Sequence, residues 1–166
     1  FISDVDNTAS EMRWTATVDT RKLTISIADG VATIRGTQDW FGTTPVRVTA
    51  TDTGGLSASS EFNVSVTPVN DPPAVVQIPS IRTKEDEAAV VQLDNYVTDP
   101  DNQKGDLRWS AVAEEPLTVT IDPATRRASI SAPQNWAGVE RKVTFTVADP
   151  DGLSDRIVVA VGVEAV

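Results

Sequence analysis

The feature that most constrains this chain is that it is written twice. Arg13-Trp14 recurs as Arg108-Trp109, 95 positions on, and Asp4-Val5-Asp6-Asn7 recurs at the same interval as Asp99-Pro100-Asp101-Asn102. Leu23, Ile25 and Ile27 recur as Leu117, Val119 and Ile121 at an interval of 94. Ala32, Ile34, Trp40 and Gly42 recur as Ala128, Ile130, Trp136 and Gly138 at 96, and Asp52 and Leu56 as Asp149 and Leu153 at 97. The interval changes only at expected turns, such as Ala28-Asp29-Gly30 against Asp122-Pro123-Ala124-Thr125-Arg126. Turns tolerate insertions that elements do not, so the pattern predicts two copies of one unit. One large all-β domain would leave the repeat unexplained. Each half of a 166-residue chain exceeds the roughly 40 residues below which a domain needs external staples.

Within each copy the apolar residues alternate with polar ones. Trp14, Ala16 and Val18 do so, then Leu23 to Ile27, Val46 to Ala50 and Phe62 to Val66. The second copy repeats this with Trp109 and Ala111, Leu117 to Ile121, Val143 to Val147 and Ile157 to Val163. Period two marks half-buried strands, and Asp-Gly, Gly-Gly and Asp-Pro pairs punctuate them. With no helical stripe in sight, the expected fold is all-β: two tandem Greek-key β-sandwiches joined end to end.

The joint is Thr67-Pro68-Val69-Asn70-Asp71-Pro72-Pro73. Proline fixes φ and lacks a backbone donor, so this stretch is a stiff connection and not the middle of a strand. The expected domains are residues 1–69 and 70–166. They are unequal, because Phe1 aligns with Tyr96 and Val69 with Val166. The second copy therefore has residues 70–95 in front of it, with a first strand expected near Ala88–Val91, and the first copy has no counterpart. An unpaired sheet edge follows in domain 1, to be filled from sequence outside these residues or by another chain.

Composition narrows the chemistry. The chain has no Cys and no His, which removes disulfide frameworks, imidazole ligands and the nucleophile–His dyads of hydrolases. A formal charge of -10 argues against nucleic acid and anionic membrane surfaces as partners. No apolar run approaches the ~20 residues of a membrane-spanning helix, so the protein is not expected to be membrane-embedded.

What remains is oxygen chemistry. The joint offers Asn70 and Asp71, the loop opening the second copy offers Asp99 and Asp101, and the later loop Asp149-Pro150-Asp151-Gly152 offers Asp149. Greek-key sandwiches gather such loops at one end. Two carboxylates about 4 Å apart repel by about 4 kcal/mol at an effective dielectric near 20. A gathered set of four is thus expected to hold a cation, and many hard oxygens in a flexible shell suit Ca²⁺ better than Mg²⁺. The competing reading is purely structural, since Asp and Asn form turns by bonding to their own backbone. Recurrence of both motifs in both copies, beside an Asn-Asp joint, favours calcium.

Asp99-Pro100-Asp101, Ala148-Asp149 and Val69-Asn70-Asp71-Pro72 together resemble cadherin repeats, and more closely the cadherin-like or immunoglobulin-like tandem repeats of large bacterial cell-surface, adhesin-type proteins. The resemblance covers essentially the whole chain. It implies Ca²⁺ bound at a domain junction by Asp39, Asn70, Asp71, Asp99, Asp101 and Asp149. It also implies an extracellular or cell-surface location, neighbouring repeats of the same protein as partners, and a cell-surface protein or glycan as a further ligand. Departures are visible. Pro68 and Pro72 stand where the cadherin linker has further Asp and Asn residues. Thr37-Gln38-Asp39-Trp40 and Pro133-Gln134-Asn135-Trp136 replace the family's acidic Asp-Arg-Glu motif, implying fewer and more weakly held ions.

Three functions compete at this point. The favoured one is a non-catalytic, calcium-stiffened stalk or adhesive segment; the second is a carbohydrate-binding accessory module of a secreted enzyme. The third, a two-carboxylate glycosidase, sits poorly with duplication of the acidic motifs in both copies. Trp14 and Trp109 are expected in the core, and Trp40 and Trp136 at loop-to-strand corners, not on a sugar platform.

Overall fold

The computed structural model describes residues 3–166, with residue 139 described by its backbone alone. The expectation attached to Phe1 thus lies outside the described residues. The chain divides into two compact units, Phe1–Val69 and Asn70–Val166. Among the described residues the secondary structure is strand, apart from one 3-10 turn at Leu93–Tyr96.

Unit 1 contains β1 (Arg13–Thr17), β2 (Leu23–Ala28), β3 (Val31–Gly36), β4 (Gly42–Thr51) and β5 (Ser57–Val66). They form two sheets, β1-β4-β5 and β2-β3. The register sets Trp14 against Ala50, Ala16 against Val48 and Val46 against Phe62, which keeps the alternating apolar set together. Hydroxyl pairs decorate the polar positions of the long hairpin: Thr43–Ser65 at 2.9 Å, Thr49–Ser59 at 2.9 Å and Thr51–Ser57 at 2.8 Å.

Unit 2 contains β6 (Ala74–Val75), β7 (Ile81–Lys84), β8 (Ala89–Gln92), β9 (Val97–Thr98), β10 (Arg108–Ala113), β11 (Thr118–Ile121), β12 (Arg127–Ser131), β13 (Gly138–Ala148) and β14 (Ser154–Glu164). The sheets run β10-β13-β14-β7 and β11-β12-β8, with a small β6-β9 ladder beside them. Strands β10 to β14 repeat β1 to β5 in order and pairing. Residues 70–95 contribute more than the single first strand expected. Strand β8 pairs antiparallel with β12, and β7 pairs parallel with β14. Sequence reading missed β7 because Ile81-Arg82-Thr83-Lys84 has one strongly apolar residue and two cations, the composition of a protected edge.

The core of unit 2 lies between its two larger sheets. Ala128 and Ile130 from one, and Val143, Phe145, Val159 and Val161 from the other, are buried against Ile78, Leu93 and Leu117. A smaller cluster of Val97, Leu107 and Val147, flanked by Val75 and Trp109, sits under the β6-β9 end. The Trp-x-Gly pairs are packing corners. A Cβ on Gly138 would lie 2.9 Å from the Trp136 ring, and one on Gly42, whose φ is +128°, 3.5 Å from Trp40.

Candidate metal centre

The β6-β9 ladder does the first piece of positioning. Ala74 opposite Thr98 and Val75 opposite Val97 dock the segment following the joint alongside the strand that leads into Asp99. Pro73 is fully buried and fixes the approach. The side chain of Asp155 accepts from Val75 N at 2.8 Å, holding this short ladder to the start of β14.

Asp99 closes the loop after β9 upon itself. Its Oδ1 accepts from Asp101 N at 2.9 Å and Asn102 N at 2.7 Å, an Asx turn of the kind the sequence allows without any metal. Asn102 also donates its side-chain amide to Asp99 Oδ1 at 3.2 Å and reaches Asn70 Oδ1 at 3.4 Å. Asn70 in turn donates to Asp149 Oδ2 at 2.7 Å. Asp71 N donates to Asp101 Oδ2 at 2.8 Å. Asn70, Asp71, Asp99, Asp101 and Asp149 are therefore drawn into one polar network within unit 2.

Asp149 opens the turn after β13 and is 4 % exposed. Its Oδ1 accepts from Leu153 N at 2.9 Å, and its backbone closes the turn to Leu153 and Gly152. Burial pushes its carboxyl up, but the Asn70 amide and the N–H groups of Leu153, Gly152 and Asp151 together outweigh this, and the carboxyl lies below its ordinary range. It is held ionised although it is nearly dry. Among the described residues the ion pairs engage Asp19, Asp94 and Glu164, and none neutralises Asp71, Asp99, Asp101 or Asp149.

Two buried side-chain polar atoms among the described residues lack a partner, Asp99 Oδ2 and Trp109 Nε1. The first belongs to this network. A buried carboxylate oxygen without a donor is costly, and a hard cation is the ligand that would satisfy it. At the same time, no three acidic side chains among the described residues are already grouped to hold a metal ion. The amides of Asn70 and Asn102 instead lie between carboxylates as donors. The donor chemistry fits calcium, and the network as it stands is a hydrogen-bonded one.

Asp39 stands apart from these five because it belongs to unit 1. It occupies the turn between β3 and β4 with φ +56°, and Asn135 occupies the equivalent turn of unit 2 with the same φ of +56°. Asp and Asn are the side chains that tolerate this left-handed conformation best after Gly, which accounts for both residues structurally. Sequence reading also passed over two residues. Asn102 was visible as the fourth letter of the repeated Asp-x-Asp-Asn motif, whereas Asp155 carried no signal in the sequence.

The upstream loop of unit 1 is built alike. Asp4 Oδ1 accepts from Asp6 N at 2.9 Å and Asn7 N at 2.8 Å, and Asp52 Oδ1 accepts from Leu56 N at 2.8 Å. There the loops meet through Thr53, whose hydroxyl donates to Asn7 at 2.7 Å.

A family model described as a bacterial Ig domain matches residues 70–162. No curated protein sequence matches the chain. Among solved structures, the human desmocollin-1 ectodomain is similar at a TM-score of 0.56 and 11 % identity, over 98 % of this chain and 35 % of that one. Human mucin-like protocadherin EC1-2 is similar at a TM-score of 0.54 and 13 % identity, over 99 % of this chain and 92 % of that one. Protocadherin gamma B2 extracellular cadherin domains 3-6 give 0.53 and 12 %, over 95 % of this chain and 40 % of that one. The chain thus spans about a third of the desmocollin-1 ectodomain, and at these identities the likeness is one of fold.

Proposed function

This chain belongs to the bacterial Ig domain family, and on that premise we propose that it is a non-catalytic extracellular repeat module, a stalk or adhesive segment of a larger surface protein, that calcium stiffens. The observation that carries the calcium reading is the buried, unpartnered Asp99 Oδ2, set in a network of four carboxylates that no Lys or Arg among the described residues neutralises. Asp99, Asp101 and Asp149, with the side-chain oxygens of Asn70 and Asp71, would hold the ion; the family resemblance adds Asp39. Bound calcium supplies positive charge where the chain has only acceptors. Asn70 and Asp71 directly follow Val69, so ordering them restricts the backbone at the point where the two units are linked. Neighbouring repeats of the parent protein are the proposed partners, with a surface protein or glycan as an adhesive ligand.

The test is a calcium titration read by melting temperature and small-angle scattering. Extracellular calcium modules bind at about 10⁻⁴ to 10⁻³ M, so millimolar calcium is the working range. Binding to the folded state alone adds about 1.4 kcal/mol at ten times Kd. Calcium should raise the melting temperature and narrow the spread of inter-unit angles, and chelation should leave both units folded but hinged. Asp99→Ala with Asp101→Ala should abolish both responses. Asp122→Ala should abolish neither, although Asp122 makes a similar turn by accepting from Ala124 N and Thr125 N at 2.8 and 3.1 Å. A wild-type chain indifferent to millimolar calcium returns these aspartates to the status of turn formers. A glycan- or peptide-cleaving activity lost on Asp99→Ala would end the non-catalytic reading.

A further inference from the structure

The duplication supplies a template for what unit 1 lacks. In unit 2, β7 lies parallel on β14, with Val161 opposite Ile81, Gly162 opposite Arg82, Val163 opposite Thr83 and Glu164 opposite Lys84. Strand β8 lies antiparallel on β12, with Ala128 opposite Val91 and Ile130 opposite Ala89. The same positions of unit 1, at the repeat intervals, are Val64–Thr67 on β5 and its end, and Val31–Ile34 on β3. Among the described residues neither edge has a strand beside it, since β5 pairs with β4 alone and β3 with β2 alone.

Burial follows the missing strands. Ala128 and Ile130 are 0 % exposed, but Ala32 is exposed and Ile34 only partly buried. Val161 is 0 % and Val163 5 % exposed, against partly buried Val64 and Val66. Val159 is 1 % exposed, and its counterpart Phe62 is 43 % exposed. The residues that close the corresponding region of unit 2 are Ile78 and Leu93, at 5 % and 0 % exposure, with Ile81 and Val91 packed against the same cluster. All four come from residues 70–95.

We propose that unit 1 is an acceptor for a two-strand polypeptide segment from outside residues 1–166, one strand running parallel along β5 at Val64–Thr67 and the other antiparallel along β3 at Val31–Ile34. The occupant has the chemistry of Ile78–Leu93: an apolar residue before the first strand, a short cationic first strand, an apolar second strand and an apolar residue after it. Backbone pairing supplies affinity, and the apolar positions at the ends supply register. A single strand would leave one edge open. A flat apolar ligand would leave the backbone groups of both edges unsatisfied. The proposal stands independently of calcium.

The experiment uses two formats of one probe. In the first, a copy of residues 70–95 is fused ahead of Phe1 of the full chain; in the second, a peptide of residues 77–95 is titrated into the unmodified chain. Hydrogen exchange is followed at Val64–Thr67 and Val31–Ile34. Fusion raises the effective concentration of the segment to about millimolar, so its effect should be the larger. The expected result is exchange at both edges slowed tenfold or more in the fused chain. The slowing should be lost when the copy carries Ile78→Asp with Leu93→Asp. Should the fusion fail to fold, saturable slowing of both edges by the free peptide supports the proposal in its place. Slowing at only one edge, or at neither edge in both formats, overturns the proposal. Concentration-dependent slowing in the unmodified chain, accompanied by a dimer mass, also overturns it, because a second copy would then be the occupant.

Discussion

Units 1 and 2 share their acidic turns almost bond for bond, yet differ in what surrounds them. Asp4 and Asp99 make the same pair of backbone contacts, and Asp52 and Asp149 close the same turn. Only unit 2 has Asn70 and Asp71 to tie these turns together, and among the described residues only unit 2 has strands such as β7 and β8 to close its sheets. Turn chemistry is therefore local and survives in either context. Burial is not local: Met12, Leu23, Val46 and Ala50 are the buried apolar residues of unit 1 among those described, while unit 2 buries whole layers from both sheets. A motif can be copied intact while the core beneath it is incomplete.

The largest effect expected from this contrast is in the core. Phe145 is fully buried, and its counterpart Val48 on β4 is partly buried. Phe145→Ala should cost unit 2 about 3 to 5 kcal/mol. Val48→Ala should cost unit 1 about 1 kcal/mol, at about 0.8 kcal/mol per fully buried methylene on a site only partly covered. Denaturant unfolding followed at Trp14 and Trp109 separately, each retained in a background lacking the other three tryptophans, would measure both. Equal losses would break the comparison, because they would mean that unit 1 is as closed as unit 2.

A smaller but more direct reading is native-state hydrogen exchange. Strand β14 is held between β13 and β7, whereas β5 has one neighbour among the described residues. Amides of β4 and β5 should exchange through openings of lower free energy than those of β13 and β14. The hydroxyl ladder on the β4–β5 hairpin works against this, at roughly 0.2 to 1 kcal/mol per cross-strand pair. Matched protection would mean that the ladder, or a bound strand, compensates for the open edge.

Legibility in the sequence tracked the range of the interaction. The repeat intervals and period-two alternation gave the all-β fold, and β8 stood out because Ala89-Val90-Val91 is an apolar run. Strand β7 was hidden because parallel pairing to β14 is a contact between residues 80 apart, made by a segment with the composition of a loop. The 3-10 turn at Leu93–Tyr96 was likewise invisible. At the candidate centre, the Asx turns of Asp99 and Asp149 were legible as local chemistry. The bridge from Asn102 through Asn70 to Asp149 was not, because it depends on how the β6-β9 ladder seats the joint. The orphaned Asp99 Oδ2 could not be foreseen either, since burial of one atom is a property of the assembled unit.

The smallest expected effect isolates that bridge. Asp149 is lowered against the pull of its own burial, and the Asn70 amide is the first of the donors that lower it. Asn70→Ala removes this donor and leaves burial opposed only by the N–H groups of Leu153, Gly152 and Asp151. The Asp149 carboxyl should then titrate at higher pH, as followed by side-chain carboxyl chemical shifts. A carboxylate whose folded pKa is depressed contributes stability that is fully present above the unfolded value of about 3.9 and lost as pH falls through the folded value. Asn70→Ala should therefore weaken unit 2 at neutral pH and flatten its loss of stability across the acid range. An Asp149 titration that stays in place when Asn70 is replaced would show that the backbone turn alone holds the charge, and the two units would then differ in their edges but not in their acidic loops.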